Sequence, residues 1–230
     1  MKKLICTLLA AISILTIFTL PAFAKYTAVT NVNEACQYIH SAHSLITIKP
    51  ATLYQNGKYH TVYTIALKGS NMSWNKEDLN NMQSCIKAGL SLDNPYFDEL
   101  KKQALESIPD GSDIILMGHS LGGMVAQQFA ADKEIKEKYN VVNILTMGSP
   151  YIVLKDRMGD IHRMVDNGDV IPYLSTAVIG NGYLGNYTLE SNGYFGRPNS
   201  AHNESYVSGE KWLQYDCFGI KDGNTKFIIW

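Results

Sequence analysis

The chain has 230 residues, 46% of them apolar and 10% aromatic, with 14 tyrosines. Such a composition supports a packed core and excludes intrinsic disorder, collagen and a coiled coil. Its 20 Lys and Arg against 21 Asp and Glu leave no cationic surplus to neutralise phosphates, which argues against a nucleic-acid partner.

The chain begins like an export signal. Lys2-Lys3 precede an apolar run from Leu4 to Leu20, and Ala22-Phe23-Ala24 supplies the small residues a signal peptidase accepts. Residues 1–24 are therefore read as a cleaved Sec-type signal peptide, and 25–230 as one catalytic-sized domain of 206 residues with a formal charge of −3. The expected location is periplasmic or extracellular, with no stable transmembrane segment once the signal is removed, and a monomer is expected. An uncleaved anchor is the alternative, because the 17-residue run lies at the lower limit for spanning a bilayer. Cys6 leaves with the signal, so Cys36, Cys85 and Cys217 remain, an odd set that admits at most one internal disulfide. Their spacing matches no zinc pattern, and buried thiols are the plainer expectation.

Further along, Asn33 to Ser44 reads as a helix with Asn33 as its cap and Ala35, Tyr38, Ile39 and Ala42 on one side. Thr61 to Leu67 is β-branched and aromatic, a strand preceded by an Asn56-Gly57 hairpin turn. Trp74 to Leu90 and Pro95 to Ile108 read as helices. Asp113 to Met117 is a short continuous apolar run, the signature of a strand covered on both faces. Leu121 to Asp132 follows as a helix, with Val141 to Met147 and Ile161 to Val165 as further strands. Strand and helix thus alternate, which predicts an α/β fold with a central, mostly parallel sheet flanked by helices.

Gly118-His119-Ser120-Leu121-Gly122 is a G-x-S-x-G pattern set between a buried strand and a helix, the context in which a serine is presented on a strained turn. A serine hydroxyl needs a base to take its proton and an acid to orient that base. On such a fold the acid and then the histidine follow the serine in the chain. His162 and His202 are the histidines after Ser120; His162 sits inside a predicted strand, whereas His202 lies in a predicted loop before Tyr206. Asp166 and Asp169 both follow the strand ending at Val165, and Asp169 lies between the Asn167-Gly168 turn and an apolar Val-Ile-Pro. The residues favour His202 and Asp169, with Asp166 left open as the acid.

These segments, in this order, resemble the class 3, or fungal-type, triacylglycerol lipases of the α/β-hydrolase superfamily. Leu67-Lys-Gly-Ser70 is similar to that family's Arg-Gly-Thr/Ser segment, and Trp74 with Asp78-Leu79 to its Trp-x-x-Asp-Leu with one residue added. Thr146-Met-Gly-Ser-Pro150 resembles Thr-Phe-Gly-Ser-Pro. Arg163 to Pro172 resembles Arg-Val-Val-Asn-x-x-Asp-x-Val-Pro, and His202 with Tyr206 a His-x-x-x-Tyr ending. The resemblance implies an α/β-hydrolase fold and a Ser120–Asp169–His202 triad, and it selects Asp169 over Asp166. Ser70 and the Leu121 N–H would form the oxyanion hole. It implies hydrolysis of acyl esters at a lipid–water interface, without metal or cofactor. Soluble or carbohydrate-linked acyl esters are the alternative substrates, and a catalytically silent binding protein would require a broken triad. Lys68 stands where the family has Arg. Asn71 to Leu92, with Met72, Trp74, Met82 and Ile86, falls where the family carries a lid, although an apolar stripe at helical spacing is also what a core helix shows. Gly180 to Gly196 reads as a long loop on the substrate rim.

Overall fold

In the computed structural model, residues 26–90, 92, 94–152, 156–174 and 185–230 are described. The expected signal peptide, 1–24, and the first part of the Gly180–Gly196 loop lie outside them. Among the described residues no helix is long and apolar enough to cross a membrane.

The sheet is organised around the run Asp113 to Met117. This strand, β4 (Asp113–His119), sends Ile114 and Leu116 to one face and Ile115 and Met117 to the other, all of them fully buried. A strand apolar on both sides can lie only in the middle of a covered sheet. Its parallel neighbours are β3 (Lys58–Leu67) and β5 (Asn140–Met147), with β6 (Asp160–Asp166) and β7 (Thr188–Glu190) continuing in parallel beyond β5. On the other side, β2 (Ile46–Gln55), β1 (Thr27–Val29) and β8 (Lys226–Ile229) extend β3 antiparallel, so the order is β1-β8-β2-β3-β4-β5-β6-β7. The expected Asn56-Gly57 turn joins β2 to β3, with φ of +51° and +77°. The hairpin implied the antiparallel β2–β3 pair, but the addition of β8 and β1 beyond it was not expected. β8 comes from the far end of the chain, and no local pattern tells a four-residue strand what it will pair with.

Helices cover both faces. One core cluster packs Ile65, Leu116 and Ile144 under α3 (Pro95–Ser107) and α4 (Leu121–Ala131). The other packs Val62, Met117 and Leu145 under α1 (Val32–Ser41), together with Tyr206 and Trp212. This is the three-layer α/β architecture expected from the alternation of elements, and it agrees with the α/β-hydrolase fold that the resemblance implies.

Two helix starts differ from the sequence expectation for the same physical reason, competition by short polar side chains. The cap of α1 is Asn31, whose Oδ1 accepts the Glu34 N–H at 3.0 Å, while Asn33 is buried and gives its amide to the Tyr206 and Gly209 carbonyls. The helix expected from Trp74 begins only at Met82, as α2 (Met82–Gly89). Before it, Asn71, Ser73 and Asn75 each accept the N–H two residues on, at 3.0, 2.9 and 3.2 Å, and these local turns displace the helix. Cys36, Cys85 and Cys217 are all free thiols, with Cys36 and Cys217 buried.

Candidate active site

Ser120 sits between β4 and α4 with φ of +54° and ψ of −123°, a strained conformation for a residue with a side chain. What permits so sharp a turn is Gly122: a Cβ there would stand 2.3 Å from the Leu67 carbonyl oxygen, so only glycine lets the helix start this close to β3. The strain lifts the hydroxyl to the carboxyl end of the sheet, where it lines a cavity of about 830 Å³.

Two residues arrive from later in the chain. His202 lies in the short helix α6 (Pro198–Asn203) rather than in a loop, and its Nε2 is 2.9 Å from Ser120 Oγ. Its Nδ1 is 2.9 Å from Asp169 Oδ2. Asp169 is fully buried just beyond the end of β6; its Oδ1 accepts the Ile171 N–H at 2.9 Å and its Oδ2 also accepts the Tyr206 hydroxyl at 2.8 Å. Those donors fix the carboxylate, which in turn fixes the ring with Nδ1–H toward the acid and a bare Nε2 toward the serine. Gly148, with φ of +59°, lies against this contact: a Cβ would come within 2.8 Å of Asp169 Oδ2 and 3.0 Å of His202 Nδ1.

The other candidates are elsewhere. Asp166 is also fully buried but faces away from the histidine ring, accepting Gly168 N–H, the Asn192 N–H and amide, and the Ser205 hydroxyl. His162 stays within β6 beside Gly219 and does not line the cavity.

Ser70 lines the cavity, and the Gly69 that precedes it packs on the elbow, a Cβ there standing 3.0 Å from Ser120 Cβ. The Ser70 hydroxyl accepts the Met72 N–H at 2.9 Å. Leu121 opens α4, so its N–H is one of the first-turn donors that a helix cannot satisfy internally. Lys68 is anchored by its backbone, its N–H bonded to the Leu45 carbonyl and its own carbonyl accepting the Tyr96 hydroxyl, while its side chain lines the cavity beside His40.

The remaining wall is apolar, formed by Met72, Met82, Ile86, Leu90, Val170 and Leu174. Met72, Ile86 and Leu90 are between 52% and 68% exposed and border the cavity, and Trp74 is exposed too, whereas Ala88 and Leu79 of the same Asn71–Leu92 interval pack into the core. Sequence reasoning missed two polar contributors. Tyr206 was noted only for its spacing from His202, and His119 only as the variable residue of the serine motif. Their signal was proximity in sequence to the two residues they support.

Residues 28–179, which are 152 of the 230, match the model of the family described as Lipase (class 3); the match includes Ser120 and Asp169 and ends before His202. Among solved structures, the Lip2 lipase of Yarrowia lipolytica is similar at 15% identity with a TM-score of 0.32, over 59% of this chain and 64% of that one. Nonglycosylated Lip2 of the same yeast is similar at 14% identity with a TM-score of 0.32, over 62% of this chain and 66% of that one. No curated protein matches the chain.

Proposed function

Because the chain belongs to the class 3 lipase family, we propose that it is an exported serine hydrolase of carboxylic esters, acting on acylglycerols through a Ser120–His202–Asp169 triad. The observation that carries this reading is the continuous chain of two 2.9 Å hydrogen bonds from Ser120 Oγ through the His202 ring to Asp169, at the wall of a largely apolar cavity.

The chemistry follows from the donors and acceptors. Ser120 Oγ attacks the ester carbonyl carbon while His202 Nε2 takes its proton. Asp169 stabilises the imidazolium that results, and the negative charge on the carbonyl oxygen falls to the N–H groups of Ser70 and Leu121, with the Ser70 hydroxyl beside them. Collapse of the tetrahedral intermediate breaks the ester C–O bond, and His202 returns the proton to the leaving alcohol. Water repeats the sequence on the acyl-enzyme and frees the acid. Neither metal nor cofactor takes part. The apolar wall would hold the acyl chain, and the exposed Met72, Ile86 and Leu90 at its edge, with the exposed Trp74 of the same segment, would meet lipid, in the interval where the family carries a lid.

The test is hydrolysis of a p-nitrophenyl ester by wild type and by Ser120→Ala, with circular dichroism to confirm the fold. Turnover should disappear with Ser120→Ala, and a fluorophosphonate probe should label Ser120; retained turnover in the folded variant overturns the assignment. Comparing emulsified long-chain triacylglycerol with a soluble short-chain ester then separates lipase from soluble esterase.

A further inference from the structure

His119 is the side chain in contact with His202 that the triad does not use. It is 3% exposed, and its Nε2 lies 2.8 Å from the backbone carbonyl oxygen of His202. A carbonyl can only accept, so this nitrogen carries a proton and donates. The two rings also meet in a tilted contact, with centroids 4.7 Å apart and planes at 36°. His119 therefore touches His202 twice, once at its backbone and once at its ring.

The position of His119 gives these contacts their meaning. It is the last residue of β4, one residue before the nucleophile, and β4 is the most deeply covered strand of the sheet. The residue that makes His119's hydrogen bond to α6 thus belongs to the same rigid strand end that presents Ser120. Helix α6 follows β7 at the edge of the sheet, and a helix only six residues long has little rigidity of its own.

We propose that His119 is a positioning residue for His202, tying the backbone of the histidine-bearing helix to the strand that carries the nucleophile, and that it acts as a neutral ring. This rests on the triad reading above. Two features keep the ring neutral. Burial, and then the neighbouring His202 and His40, push its pKa down to about 3. The groups around it are His202 on one side, His40 at 4.9 Å on the other, with Lys68 beyond His40, and the Tyr206 ring at 5.9 Å; among the described residues no carboxylate acts on it to stabilise a charge. Neutrality matters because His202 becomes positive each time it takes the Ser120 proton. A neutral aromatic face beneath an imidazolium is favourable, whereas a second cation would oppose the transfer.

Two substitutions separate the donor from the ring. His119→Phe keeps an aromatic face but leaves the His202 carbonyl without its donor; His119→Gln restores an N–H at about the same reach without the ring. With p-nitrophenyl butyrate and active sites titrated by a fluorophosphonate, His119→Phe should lower kcat per active site about 10- to 100-fold with KM within about twofold of wild type, as expected for a misplaced catalytic group. His119→Gln should recover most of that loss. A kcat for His119→Phe within about twofold of wild type overturns the proposal, as does a His119→Gln enzyme no faster than His119→Phe. Should either variant fail to fold, ¹⁵N NMR of the wild-type histidines decides: a neutral Nε2–H tautomer for His119 at pH 6 supports the proposal, and a charged ring or an Nδ1–H tautomer overturns it. Loss of the triad reading is distinguished by its own result, turnover in Ser120→Ala.

Discussion

Tyr206 gives its hydroxyl proton to the very oxygen of Asp169 that His202 uses, at 2.8 Å and 2.9 Å respectively, and accepts the Asp166 N–H at 3.0 Å on its other side. The phenol thus ties the carboxylate to the end of β6. Without it, Asp169 Oδ2 would have one donor and the Asp166 N–H, buried, would have none. Burial, reinforced by the nearby Asp169, holds the phenol's pKa well above its ordinary value, so it remains a donor across the working pH range.

Tyr206→Phe should therefore lose both activity and stability. A hydrogen bond to a charged group contributes about 1.5–3 kcal/mol, and roughly tenfold in rate corresponds to about 1.4 kcal/mol, so kcat/KM should fall about tenfold or more. The orphaned Asp166 N–H should lower the unfolding free energy by about 1–3 kcal/mol. Steady-state kinetics and urea unfolding measure the two separately. Unchanged kcat/KM would mean that Ile171 and His202 suffice to hold the acid.

Asp166 is as fully buried as Asp169, and it joins the segments that carry Asp169 and His202. Oδ1 takes the Gly168 N–H at 2.9 Å on the acid's own turn; Oδ2 takes the Ser205 hydroxyl at 2.6 Å, three residues after His202, and the Asn192 N–H and amide at 3.2 and 3.1 Å. Asp166→Asn keeps the shape but sets an NH₂ group among donors. The unfolding free energy should fall by about 1–3 kcal/mol, and kcat should fall with KM little changed, since the substrate wall is untouched. A variant as stable and as fast as wild type would show that the four donors find other acceptors.

Acid should destabilise the protein chiefly through buried His119. Burial lowers the pKa of His119 to about 3, and partial desolvation is the leading cause of the smaller lowering at His162, which is half-buried, and at His40, whose side chain is otherwise exposed. Between about 6.5, the ordinary value, and the lowered folded value, the unfolded chain binds protons that the folded chain does not. Stability then rises with pH across that window and is lost as pH falls, by at most about 1.4 kcal/mol per pH unit for each such group. Urea unfolding at pH 7 and pH 4.5 should show the loss, and His119→Gln should reduce the difference. An equal difference in that variant would place the acid sensitivity elsewhere.

How much of this was legible in the sequence follows the range of the interactions involved. The elbow could be read because its determinants are local: an apolar strand, glycines where helix and strand touch, and a helix start all lie within Asp113 to Ala131. The parallel part of the sheet could be read because a strand buried on both faces is apolar throughout, and β4 and β5 show it. The start of α2 and the cap of α1 could not be read as well. There several Asn and Ser side chains compete for the same N–H groups, and packing decides which succeed.

By itself, then, the sequence determined the nucleophile's strained turn, the α/β layering around it and the order in which an acid and a base would follow. The residues favoured Asp169 and the resemblance selected it, but the contact itself, Asp169 and not Asp166 against the His202 ring, exists only in the tertiary structure. Asp166 and Asp169 lie three residues apart with similar local surroundings and equal burial. Their difference comes from His202, 33 residues beyond Asp169, and from Tyr206, Ser205 and Asn192, none of which is a local neighbour. A fully buried carboxylate keeps its charge only where donors converge on it, and convergence across such separations exists only once the sheet has brought the segments together.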